Sequence, residues 1–120
     1  MKFRLEDNSL RLRLSAAEVR TFAATGRVAA ATHFGPDGGQ QLSYALERVS
    51  PSSAAVLAPQ PSVPEPVCLR YAPGQLVVLV PALLADDWTN TDRNGFSAEI
   101  SVFANNKLRI LVEKDLDCRH

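Results

Sequence analysis

The chain is poor in the residues that several familiar chemistries require. Its 120 residues hold two cysteines, two histidines and one tryptophan, and 13 Lys and Arg are balanced by 13 Asp and Glu. The four soft or imidazole ligands, His33, Cys68, Cys118 and His120, form no Cys-x-x-Cys or His-x-x-x-His pair, so no structural zinc site is expected. The zero formal charge removes the excess of cations on which binding to nucleic acid or to an anionic membrane rests, and neither partner is expected. The longest apolar run, residues 76–84, is interrupted by Pro81 and falls far short of the roughly 20 residues that span a bilayer. Residues 1–14 alternate charge with hydrocarbon and contain no unbroken apolar stretch, which predicts no secretory signal and reduced cysteines in a cytoplasmic protein.

What is present describes one globular domain over residues 1–120. The chain is 46% hydrophobic, too apolar for disorder and long enough for a single core. Side-chain period carries most of the information. Phe3 and Leu5 alternate with Lys2, Arg4 and Glu6; after the polar turn Asp7-Asn8-Ser9, Leu10, Leu12 and Leu14 alternate with Arg11 and Arg13. Period two sends hydrocarbon to one face and charge to the other, so this is a hairpin. Ser15-Ala16-Ala17-Glu18 then has the form of a capping box, flanked by Leu14 and Val19 as a staple. Val19, Phe22 and Ala23 follow at helical spacing until Gly26, which suits a left-handed helix end.

A strand is expected over residues 27–34, a glycine-rich turn over 35–39, and a second strand around Leu42, Tyr44 and Leu46. Residues 50–66 hold most of the chain's eight prolines and are expected to form a surface loop. Val67, Leu69 and Tyr71 alternate, and residues 75–80 are apolar after the first, as in a central strand covered on both sides. A short helix is expected over 82–88. The last hairpin pairs Phe96, Ala98, Ile100 and Val102 with Leu108, Ile110 and Val112 around Asn105-Asn106. The order ββαββββαββ predicts an α+β fold, a twisted antiparallel sheet or partly closed barrel of about eight strands with two short helices.

No cluster has the make-up of a reactive centre. There is no Gly-x-Ser-x-Gly, and Gly35-Pro36-Asp37-Gly38-Gly39 lacks the spacing of a phosphate loop. The remaining signal is strand charge. Arg4, Arg11, Arg13, Arg70, Lys107 and Arg109 fall opposite the apolar rows, interleaved with Glu6, Glu47, Glu99 and Glu113. On a solvated face these make cross-strand ion pairs. Turned inward they would line a basic tunnel, the make-up of a metal-dependent hydrolase or binder of phosphorylated compounds such as triphosphates, with Arg11, Arg13 and Arg109 as clamps and Glu47, Glu99 or Glu113 as magnesium ligands. Trp88, Asn90, Asp92 and Arg93 offer a third possibility, a protein-recognition surface, although Trp88 also suits a core anchor. The leading expectation is a small non-catalytic binding or accessory protein without a cofactor, associating with itself through an exposed sheet edge.

Several stretches taken together resemble a family of short bacterial proteins of unknown function: residues 8–14 with the helix start, Thr32-His33-Phe34-Gly35-Pro36, Leu42-Ser43-Tyr44-Ala45-Leu46-Glu47, Trp88-Thr89-Asn90-Thr91-Asp92 with Gly95-Phe96, and residues 108–115 with Cys118. The resemblance covers nearly all of the chain apart from the proline-rich stretch and implies no activity, cofactor or site residue. Members often continue into an acidic tail beyond the cysteine, whereas this sequence stops at His120. The strand charges are also similar in type to those of the triphosphate-tunnel fold, an eight-stranded barrel around a metal-bound polyphosphate. The chain is short for that fold and lacks its opening run of alternating glutamates, so the likeness is one of fold type only.

Overall fold

The computed structural model describes residues 1–49 and 67–115; the proline-rich stretch at 50–66, Cys118 and His120 lie outside the described residues. Eight strands and two helices follow in the expected order: β1 (Lys2–Glu6), β2 (Ser9–Leu14), α1 (Ala16–Thr25), β3 (Arg27–His33), β4 (Gln41–Val49), β5 (Cys68–Ala72), β6 (Gln75–Pro81), α2 (Ala82–Asn90), β7 (Gly95–Ser101) and β8 (Lys107–Lys114). A short 3₁₀ turn, Phe103–Asn105, joins the last two strands.

The strands form two four-stranded sheets, ordered β1-β2-β8-β7 and β3-β4-β6-β5, with no closed barrel among the described residues. Each sheet has two antiparallel hairpins joined through a parallel central pair, β2 with β8 and β4 with β6. The sheets are therefore mixed rather than purely antiparallel. Alternation states which face of a strand is dry, but it carries no information about the direction of the neighbour.

Register assigns the faces. In the first sheet Phe3, Leu12, Val112 and Phe96 lie in one row, and Leu5, Leu10, Ile110 and Ala98 in the next. In the second, Val28, Leu46, Val78 and Leu69 share a row. Apart from Leu5, which is exposed, these rows meet in one core, and Phe3 of the first sheet stacks on Tyr44 of the second with ring centroids 4.7 Å apart. The charged rows therefore face outward, and the described residues form no charged tunnel. Val77 and Val78 point to opposite sides of β6 yet are both buried, as expected of a strand covered on both faces.

The helices bridge the sheets. The capping box of α1 is formed: Ser15 Oγ accepts from the Glu18 amide, and Glu18 Oε1 accepts from the Ser15 amide. Gly26 closes the helix at φ +83° and donates to Phe22 O. The Arg48 guanidinium would stand 3.4 Å from a Cβ at this position, so the backbone conformation, not space, is what asks for glycine. Gly26→Ala is expected to lower stability by about 1–2 kcal/mol, measured as a lower urea midpoint at unchanged m-value. Phe22 of α1 meets Trp88 of α2 edge to face at 5.9 Å, and Trp88 meets Phe96 at 5.4 Å. The Trp88 indole N–H donates to Asn94 O at 3.0 Å, which satisfies its polar end inside the core.

The fold is also a duplication that the residue pattern hides. One constant shift along the chain carries Lys2 onto Cys68, Ser9 onto Gln75, Ala16 onto Ala82 and Gln41 onto Lys107, each the first residue of a matching element. Only the third strand of the repeat moves slightly further, from Arg27 to Gly95, both of which pair with the matching glutamates Glu47 and Glu113. The first sheet read β1-β2-β8-β7 thus corresponds to the second read β5-β6-β4-β3. Equivalent core positions hold different side chains of one kind: Leu14 and Val80, Leu46 and Val112, Phe22 and Trp88, all fully buried. Phe22 and Trp88 therefore meet where the two halves join.

Candidate functional site

The outer face of the first sheet gathers most of the strand cations. Its hairpin register sets Lys2 directly across from Arg13 and Arg4 across from Arg11. Like charges placed opposite each other destabilise a sheet unless something else is bound between them. Here that partner comes from β8, where Glu113 stands beside Arg13. Glu113 Oε1 accepts from Arg11 Nη2 at 2.7 Å, from Arg13 Nε at 3.1 Å and from Arg13 Nη2 at 2.9 Å. Lys2 Nζ lies 3.0 Å from Asp115, and Arg4 reaches Glu6 only at 3.9 Å, with both side chains largely in solvent. Lys2, Arg4, Arg11 and Arg13 line an open groove of about 180 Å³.

The arginines are half-buried along their stems, which lets them snorkel across the sheet while keeping donors at the surface. The Arg11 Nε is buried and has no hydrogen-bond partner among the described residues. The hydrogen bond from Arg11 is the first reason that the Glu113 carboxyl is held below its ordinary value of 4.5; burial opposes this, and Arg13 adds to it. Because folding lowers this pKa, the stabilisation is present above the unfolded value and is lost as pH falls through the lower, folded one. Glu113→Gln is expected to flatten the stability curve below pH 4.5 while leaving its shape near neutrality unchanged, checked by urea denaturation on either side of that value.

The other residues singled out from sequence are distributed as follows. Arg109 pairs loosely with Glu99 at 3.7 Å further along the same face. Arg109, Lys107, Glu6 and Glu99 border a more mixed depression, and Arg109 and Glu6 also share a neighbouring one with Arg4 and Arg11. Arg70 is on the outer face of the second sheet, 3.5 Å from Glu47, which also binds Arg27. Arg70 is therefore not brought to the cation groove. The three glutamates considered as metal ligands are likewise apart: Glu47 is in the second sheet, and Glu99 and Glu113 are offset along β7 and β8. No group of three or more His, Cys, Asp or Glu converges among the described residues. Trp88 is fully buried and forms no part of a surface, whereas Asn90, Asp92 and Arg93 are exposed; Arg93 is engaged by Asp87 at 2.8 Å. Lys2 belongs to the groove although the sequence reading left it out, and its alternation with Phe3 already assigned it to the row of Arg4.

The duplication supplies an internal comparison. Arg4 corresponds to Arg70 and Glu113 to Glu47, so both sheets keep one arginine and one glutamate on this framework. The positions of Lys2, Arg11 and Arg13 are occupied in the other half by Cys68, Val77 and Leu79. The scaffold is thus built in its second copy without those three cations.

The model of a family of unknown function, DUF7009, matches residues 1–120, and the chain belongs to that family. Comparison with curated proteins and with solved structures finds no match. Among the described residues, no helix is long and apolar enough to cross a membrane.

Proposed function

We propose that this member of a family of unknown function is a non-catalytic binding protein of the cytoplasm that recognises an anionic group through Lys2, Arg4, Arg11 and Arg13. One observation carries the reading: three cations stand in one half at positions that the duplicated half fills with Cys68, Val77 and Leu79, and the three join Arg4 around a single open groove. In the other sheet the position of Arg11 is taken by the buried Val77, whereas Arg11 and Arg13 keep their donors at the surface. Paired guanidinium forks suit phosphate or carboxylate oxygens, with which charge-assisted hydrogen bonds are short and strong. Among the described residues the face holds no aromatic side chain on which a base would stack, which argues against a single-stranded nucleic acid. The reading requires no cofactor.

Thermal unfolding with inorganic triphosphate and no metal tests it. The midpoint is expected to rise with triphosphate, since a ligand at about 100 times its Kd adds about 2.7 kcal/mol of stability. Sodium chloride at equal ionic strength controls for screening and is expected to give no rise. No rise at millimolar triphosphate would remove this function.

A second association is favoured by the edge of the second sheet. Between Arg27 and His33, β3 is an edge strand with no charge and no proline, and Ala29, Ala31 and Thr32 are exposed. Such an edge suits pairing with a second copy. Ala31→Lys is expected to convert any dimer seen by light scattering to monomer.

A further inference from the structure

We infer that Glu113 is an internal competitor for the groove, which restricts it to ligands carrying several negative charges, of the diphosphate or triphosphate class. This rests on the anion-binding reading above and specifies which anions succeed. All three donors that Arg11 and Arg13 direct at Glu113 converge on one oxygen, Oε1. Its side chain is only 13% exposed, whereas those of the arginines are 36% and 35% exposed. The carboxylate thus lies beneath the guanidinium groups and holds them from the protein side.

The strand opposite is shaped around it. Gly95 faces Glu113 across β7 and β8, and a Cβ at Gly95 would come 2.9 Å from the Glu113 Cβ and 2.5 Å from Val112 O. Because Glu113 is tethered, a free anion competes with a group present at high effective concentration. An anion with a single phosphate or carboxylate group offers the arginines little that Glu113 does not already supply. A chain of phosphates offers more, because it also reaches Lys2 beside Arg13 and Arg4 beside Arg11. Neither cation is within hydrogen-bond reach of Glu113 in this structure: Lys2 is turned to Asp115, and Arg4 is largely in solvent.

Titration calorimetry of wild type, Glu113→Gln and Glu99→Gln with triphosphate and orthophosphate tests this. Wild type is expected to bind triphosphate and to give no measurable heat with orthophosphate. Glu113→Gln is expected to bind triphosphate about tenfold more tightly, the equivalent of one charge-assisted hydrogen bond, and to bind orthophosphate measurably. Glu99→Gln removes the same charge elsewhere on the face and is expected to change triphosphate affinity less than about twofold. Equal or weaker triphosphate binding by Glu113→Gln would overturn the inference and make Glu113 a residue that positions the arginines. Equal strengthening by both variants would assign the effect to the general field. If wild type and both variants all fail to bind triphosphate, the anion-binding reading itself falls. On the wild-type protein, carboxyl carbon NMR provides a reading independent of any variant. Saturating triphosphate is expected to move the Glu113 titration upward, towards that of an ordinary carboxyl, and an unmoved titration contradicts its displacement.

Discussion

Trp88→Ala is expected to destabilise the protein by about 3–5 kcal/mol and to lower the thermal midpoint by at least about 10 °C, the largest stability change of any single truncation in the core. Three losses coincide at this position. The indole is fully buried, so its removal leaves a cavity rather than an exposed patch. Both edge-to-face contacts go with it, to Phe22 of α1 and to Phe96 of β7. Asn94 O also loses the indole N–H as its donor. Because Phe22 and Trp88 are equivalent positions in the two halves, the cavity opens where the halves meet. Urea denaturation is the appropriate measurement, with wild type at the same protein concentration. A loss below about 1 kcal/mol would mean that Trp88 is not the joint between the halves.

Replacing Arg11 and Arg13 together by alanine is expected to abolish the triphosphate response, and each single change to weaken binding about 10- to 100-fold. The two guanidinium groups are the only donors that the described residues direct at Glu113, and they form the floor of the groove. Their removal acts on stability as well as on binding: both arginines are more than a third exposed, but Glu113 is only 13% exposed and would be left without its donors, so binding is compared with stability measured on the same variants. Arg70→Ala makes the informative contrast. Arg70 shares the charge, the alternation and even the repeat position of Arg4, yet it lies on the other sheet beside Glu47. Its loss is expected to leave triphosphate affinity unchanged. A binding loss from Arg70→Ala as large as that from Arg11→Ala would show that charge alone, not the shared groove, governs recognition.

These contrasts mark how far the sequence could be read. The helix start at Ser15 and Glu18, the stop at Gly26 and the two terminal hairpins were legible because each rests on neighbours a few residues apart. The inward rows of leucine and valine were legible for the same reason. The parallel pairing of β2 with β8 was not, because it joins chain segments from opposite ends and leaves no local mark. The duplication stayed hidden because few equivalent positions keep the same residue, Arg4 with Arg70, Leu10 with Leu76 and Glu47 with Glu113 among them. The rest keep only size or polarity, as a core tolerates when volume is roughly conserved. The candidate site was half legible. Arg4, Arg11 and Arg13 could be assigned to one kind of face, but the division of Arg70 from Arg4 and of Glu47 from Glu113 depends on which hairpins share a sheet. The convergence of two arginines on Glu113 likewise depends on the β2–β8 register, and no spacing in the chain encodes it.

The most direct test follows the arginine side chains themselves. In a nitrogen-15 NMR titration of the Nε–H groups with inorganic triphosphate, those of Arg4, Arg11 and Arg13 are expected to shift and saturate together, while those of Arg27, Arg48 and Arg70 hold still. Saturating shifts confined to Arg27 and Arg70, or no saturating shift in any arginine, would contradict the assignment of the outer face of the first sheet as the binding surface.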